Sequence, residues 1–148
     1  MTVGAKHGGR TADSIAGLAE WLTDLPGGPL VNRVNVAECT LPVHGNEPAT
    51  WWYVEADAHA GVARLRCLAC GDARPVLDSA ERWTFPAAWS CVTCAQSIAE
   101  VAFGLHLEDD DSVTWVAVGV RCVNCGELGG VTDVVVGAMP LADALAAL

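Results

Sequence analysis

The sequence predicts a mainly β, small α+β fold: antiparallel hairpins, each joined by a third strand, with one helix at each end of the chain. Three observations carry this. Short segments alternate apolar and polar residues, as half-buried strands do. Three Cys-x-x-Cys pairs, Cys67/Cys70, Cys91/Cys94 and Cys122/Cys125, punctuate those segments. Finally, the chain says one thing twice. LRCLACGDARPVLD (65–78) returns as VRCVNCGELGGVTD (120–133), so Arg66, Cys67, Cys70, Gly71, Val76 and Asp78 recur as Arg121, Cys122, Cys125, Gly126, Val131 and Asp133. Tandem duplication is the simplest cause, and chance convergence on a common loop is the alternative.

The elements follow in order. Residues 1–11 read as a loose tail. Residues 12–25 (ADSIAGLAEWLTDL) predict a helix, because Ile15, Leu18, Leu22 and Leu25 share one face. Asp13 or Ser14 can cap its start, and Pro26-Gly27-Gly28-Pro29 ends it. Residues 31–38 (VNRVNVAE) alternate like a strand and lead to Cys39 and to His44 in a turn-rich loop. WWYVEADA (51–58) and VARLR (62–66) flank a tight turn at His59-Ala60-Gly61 and read as a hairpin that ends on Cys67. A short strand, ARPVL, follows. The second half repeats this order: Cys91 and Cys94, then EVAFGLHLE (100–108), a turn at Asp109–Asp111, SVTWVAVGVR (112–121), Cys122 and Cys125, and the strand VTDVVV (131–136). PLADALAAL predicts a closing helix, with Pro140 suited to its first turn. The expected division is therefore a tail (1–11), an N-terminal helix region (12–30), a first unit (31–80), a second unit (81–137) and a C-terminal helix (138–148).

Composition narrows the functional classes. The chain has 148 residues, 52% of them hydrophobic, and its mean hydropathy is +0.33, which argues against disorder throughout. Its 18 acidic and 8 basic residues leave a formal charge of −10. Seven thiolates on two divalent metals would take this to roughly −13. Affinity for nucleic acid comes largely from Lys and Arg displacing counterions, so a general nucleic-acid binder is disfavoured. A local basic patch at Arg64, Arg66 and Arg74 is the exception to weigh. No apolar run reaches the roughly 18–20 residues of a membrane span. The N-terminus has no apolar core of an export signal, and paired thiols suit a reducing compartment, so a cytoplasmic location is expected.

A Cys-x-x-Cys loop turns tightly and presents two sulfurs to one metal. A glycine after the second cysteine suits the exit, where φ becomes positive. Cys91, Cys94, Cys122 and Cys125 make one closed four-sulfur set, the kind that is structural and not catalytic. The first half offers only Cys39, Cys67 and Cys70. His44 is the best fourth ligand, since it precedes the hairpin where the second half has its first pair. His59 and His106 sit at the far turns of their hairpins, out of reach at about 3.3 Å per residue, and His7 lies in the tail. A second partition stays open: Cys67, Cys70, Cys91 and Cys94 together, with Cys39 and His44 joined to Cys122 and Cys125. The in-order sets are preferred because only they enclose a hairpin in each half.

These motifs (CVTC, CVNCG and CLACG, with hairpins between them) resemble the zinc ribbon family of the rubredoxin-like fold group, over about residues 36–136. The resemblance implies two tandem zinc ribbons and two Zn2+ per chain. It also implies a place among transcription factors, polymerase subunits, ribosomal proteins or adaptor domains. Two departures stand out. Cys39 and His44 form an irregular first pair, and the chain is acidic where nucleic-acid-binding ribbons are usually basic. Rubredoxins hold iron on two CxxCG pairs. Here Cys94 is followed by Ala95, and a histidine in the first set favours zinc.

Trp51, Trp52, Tyr53, Trp83, Trp89 and Trp115 are numerous for this length. Adjacent strand residues face opposite ways, so one of Trp51 and Trp52 points away from the core, as filler for a thin core's rim or as a contact for a protein partner. Trp83 and Trp89 are expected to pack between the two units. AWSCVTCAQS faintly suggests a thiol redox centre, without the βαβ context that chemistry uses. No phosphate loop, nucleophile elbow or HExxH is present, so no catalytic residues are assigned and the protein is expected not to be an enzyme. The expectation is a zinc-stabilised module for protein–protein interaction or a subunit of a larger assembly. A nucleic-acid- or transcription-associated ribbon and a thiol redox switch are the alternatives.

Overall fold

The computed structural model describes residues 10–148; His7 and most of the expected tail lie outside them. The fold is mainly β, with one seven-stranded antiparallel sheet and two helices among the described residues. The helices are α1 (Ile15–Thr23) and α2 (Leu141–Ala146). The strands are β1 (Arg33–Val36), β2 (Trp52–Asp57), β3 (Val62–Cys67), β4 (Ala73–Pro75), β5 (Ala99–Leu107), β6 (Ser112–Cys122) and β7 (Leu128–Pro140). The sheet order is β4-β3-β2-β5-β6-β7, and β1 pairs with β5 beside β2. No helix is long and apolar enough to cross a membrane.

The two halves match residue by residue. In the first hairpin Trp52 faces Cys67 and Tyr53 faces Arg66; in the second, Ala99 faces Cys122 and Glu100 faces Arg121. The third strands match too: Arg66 faces Ala73 as Arg121 faces Leu128, and Leu65 faces Arg74 as Val120 faces Gly129. The halves meet where Trp52 pairs with its own counterpart, Ala99, in antiparallel register. An antiparallel pair of equivalent residues is the signature of a local two-fold axis, as in an isologous dimer.

Each half also lends its leading strand to the other. Ala37 N–H donates to Val101 O at 2.9 Å, and Trp89 N–H donates to the equivalent Val54 O at 2.7 Å. Likewise Val36 pairs with Ala102, and Ala88 bridges Glu55. One core results. Trp52, Val54 and Leu65 of the first hairpin pack in the same buried cluster as Val101, Phe103, Val116, Val118 and Val120 of the second. The Trp52 indole N–H reaches back to Ala37 O at 3.2 Å.

Helix α1 is shorter than expected. Ser14 stands at its N-cap without a side-chain cap bond. Its apolar face, Leu18, Trp21 and Leu22, packs with Ala102 of the second hairpin and Leu128 of β7. Gly119 permits this approach, because a side chain there would begin 2.9 Å from Leu22 Cδ2. Arg10 and Thr11, expected in a loose tail, are paired: Leu128 N–H donates to Arg10 O at 2.9 Å and Thr11 bridges Glu127. β7 runs well beyond the expected 131–136. It stays in the sheet to Pro140, with register shifts opposite Val113–Trp115 and Val118–Gly119. Of the connector tryptophans, Trp89 packs against the shared core, while Trp83 lies 4.4 Å from the Arg64 guanidinium on the first hairpin and not between the halves.

Candidate metal centres

The three Cys-x-x-Cys loops close with one hydrogen-bond scheme. Gly71 N–H donates to Cys67 O and Cys67 N–H to Asp72 O; Gly126 N–H donates to Cys122 O and Cys122 N–H to Glu127 O. Ala95 N–H to Cys91 O and Cys91 N–H to Gln96 O repeat the pattern. Gly71 and Gly126 both take φ +79, and Ala95 takes φ +64 without being a glycine. The missing glycine after Cys94 therefore changes the residue and not the turn.

The fourth loop is longer. Cys39 N–H donates to Ala49 O, the counterpart of the bond from Cys91 to Gln96. The extra chain forms a 3-10 turn over Pro42–His44 and reverses at Gly45, whose φ is +62. That insertion carries His44 to the place Cys94 holds in the second half.

The structure gathers the eight side chains singled out by spacing into two groups: Cys39, His44, Cys67 and Cys70, and Cys91, Cys94, Cys122 and Cys125. This is the in-order partition. In each group every donor atom lies within 4.8 Å of the others, and buried and half-buried donors alternate. His59 stays at its turn with its N–H on Asp57 Oδ1, and His106 pairs with Glu108.

The dimensions fit a tetrahedral ion. Zinc at about 2.3 Å from sulfur and about 2.05 Å from nitrogen sets tetrahedral edges of about 3.8 Å for S···S and about 3.6 Å for S···N. The sulfurs stand 3.8 Å apart for Cys39–Cys70, 3.6 Å for Cys91–Cys125 and 3.5 Å for Cys94–Cys122. His44 Nε2 lies 3.2 Å from Cys39 Sγ and 3.6 Å from Cys67 Sγ. A disulfide would need about 2.05 Å, and all seven cysteines are free.

The thiols of the two sets sit in unequal surroundings. The Asn124 side chain, then the Gln96 backbone N–H, hydrogen-bond Cys94 and hold its thiol at about 6. Burial, joined by the neighbouring sulfurs, pushes the Cys125 thiol up to about 12. At Cys67 burial raises the thiol, but hydrogen bonds from the Cys70 and Ala69 backbone outweigh it and the net shift is downward. Adjacent thiols cannot all ionise against one another; a divalent ion among them removes that conflict.

Arg64, Arg66 and Arg74 do not form one basic face. Arg64 donates to both carboxylate oxygens of Glu55, at 2.9 and 3.0 Å. Arg74 donates to Glu38 O and lies 4.7 Å from the Trp52 ring, opposite Leu65 on the inner face. Arg66 is exposed and donates to Gly71 O at 3.0 Å.

One residue pair separates turn strain from tertiary contact. Gly71 has open space where a Cβ would stand, whereas a Cβ on Gly126 would lie 2.7 Å from Ala12 O. Gly71→Ala is expected to cost about 1–2 kcal/mol, the penalty of a left-handed L-residue. Gly126→Ala carries the same penalty plus displacement of residues 10–12, so it should cost more. Urea midpoints of the two metal-loaded variants check the order; equal losses would show that the contact at Ala12 contributes nothing. No protein-family model, no curated protein and no solved structure matches the chain.

Proposed function

We propose that this protein is a non-enzymatic, zinc-stabilised module for protein–protein interaction, built from two zinc ribbons. The observation that carries the reading is the pair of four-donor sets with tetrahedral spacing. Four protein donors complete a tetrahedral ion and leave no position for a substrate, which is the signature of a structural site. The His44 nitrogen among three sulfurs favours zinc over iron. The registered match of the halves supports duplication of a single ribbon that once paired with its own copy.

The interaction part of the reading rests on the outer face of the first hairpin. Trp51 is 49% exposed and Tyr53 41%, on the face opposite the buried Trp52. Trp51 also borders a cleft of about 330 Å³ with Pro48, Leu68 and Ala69. Exposed aromatics beside a rigid metal knuckle suit a contact surface. The nucleic-acid reading draws less support, because Arg64 is paired with the Glu55 carboxylate and Arg74 is held on the inner face by the Glu38 backbone carbonyl and the Trp52 ring.

Native mass spectrometry of the reduced protein should show two zinc ions per chain. Cobalt substitution should give two tetrahedral spectra, one of three sulfurs and a nitrogen and one of four sulfurs. His44→Ala should remove the first and leave the second. A single ion per chain, or a His44→Ala spectrum identical to the parent, would defeat the two-site reading.

A further inference from the structure

The second half shows how its own knuckle is used. Residues 10–12 run along the outer edge of β7: Leu128 N–H donates to Arg10 O, and Ala12 N–H donates to Gly126 O at 3.0 Å. Arg121 clamps them, with Nε donating to Ala12 O at 2.7 Å while Nη1 pairs with Glu100 at 2.8 Å. The first half presents the same groups without a paired segment among the described residues, and Gly71 O accepts from Arg66 Nη1 at 3.0 Å. Ala73 stands at the register position of Leu128, so its N–H points away from β3. No strand pairs with the outer edge of β4 among the described residues. A Cβ at Gly71 would meet nothing within 4 Å, where Gly126 meets Ala12. Beside this edge lies a cleft of about 290 Å³, walled by Ala73, Arg74 and Pro75 and by residues 146–148.

We infer that the outer edge of β4 at Gly71–Ala73, together with Arg66 and Tyr53, docks an extended peptide segment of a partner protein that brings a carboxylate to Arg66. Strand addition supplies the main-chain bonds: a partner carbonyl on Ala73 N–H, as Arg10 on Leu128, and a partner N–H on Gly71 O. Arg66 is free to move from Gly71 O to the peptide, as Arg121 reaches Ala12. The carboxylate follows from a difference between the halves. Tyr53 occupies the place of Glu100, so Arg66 has no acidic neighbour across the strand. Helix docking is disfavoured here, because Glu55, Asp57 and Arg64 stand where Ala102, Gly104 and Gly119 admit α1. The inference rests on reading the protein as an interaction module and names its partner chemistry.

The test is selection of a displayed random-octapeptide library on the zinc-loaded protein. Acidic peptides should be enriched, and the amides of Gly71 and Ala73 should shift on binding. Arg66→Ala and Ala73→Pro, the latter deleting the outward N–H, should each weaken binding about tenfold, the range of a single hot-spot contact. Both variants should keep two zinc ions and an intact amide spectrum. Peptides that bind irrespective of both changes, or that depend instead on Trp51, would overturn this site while leaving the interaction module standing. Concentration-dependent dimerisation abolished by Ala73→Pro would overturn it in favour of a second copy of the chain. No enrichment with both metal sites full would overturn it as well.

Discussion

Chelating the metal from the reduced protein is expected to unfold it. Both donor sets close on strands that enter the one shared core, with Cys39, Cys67 and Cys122 buried beside it. A structural zinc contributes on the order of 10 kcal/mol, against a total stability of about 5–15 kcal/mol for an ordinary domain. Removing even one ion is therefore enough to tip the balance. The loss should be worst at the knuckle ends, where Cys67 and Cys122 terminate their strands and are buried with the core. Six tryptophans make the near-ultraviolet circular dichroism signal a direct report on packing. That signal should collapse as a strong chelator is titrated in and return when zinc is added back. A spectrum that survives complete metal removal would mean that the shared core suffices and the metal sites are ancillary.

Trp52→Ala is expected to cost about 3–5 kcal/mol, the usual range for deleting a buried large aromatic. The fully buried indole sits at the joint between the halves, opposite Ala99 and hydrogen-bonded to Ala37 O. Its removal opens a cavity under both hairpins at once, so urea unfolding should shift to a much lower midpoint while remaining one transition. The exchange of leading strands gives the same expectation for the parent protein. β1 completes the second hairpin, and the segment around Ala88 and Trp89 completes the first. Neither half keeps its full set of strand partners alone. Two separated transitions, or an isolated half that folds, would contradict this.

Much of the local structure was legible in the sequence. Alternation along 51–66 and 100–121 marked both hairpins because each strand buries one face, and period two survives any tertiary arrangement. The cysteine pairs located three knuckles because a Cys-x-x-Cys turn is closed by its own backbone. What misled was context. Ala95 lacks the glycine signature yet makes the same turn, closed by the same two backbone hydrogen bonds, Ala95 N–H to Cys91 O and Cys91 N–H to Gln96 O. Arg64, Arg66 and Arg74 are close in sequence, but only Arg64 and Arg66 share the outer face of β3, while the turn to β4 sets Arg74 opposite Leu65 on the inner face. Arg10 and Thr11 carry no apolar pattern, because their pairing on the second knuckle is made by backbone atoms.

By itself, then, the sequence determined the donor types, the hairpins and the fold class, all of which depend on residues near one another in the chain. The tertiary structure alone decided which donors meet, how the insertion bearing His44 stands in for a second cysteine, and how the halves exchange strands about Trp52 and Ala99. It also decided that one knuckle is covered by residues 10–12 while its counterpart at Gly71–Ala73 has no paired strand among the described residues. These outcomes depend on which distant backbone edges pair. Main-chain hydrogen bonding is the same for every residue type except proline, so it leaves little mark on composition or spacing.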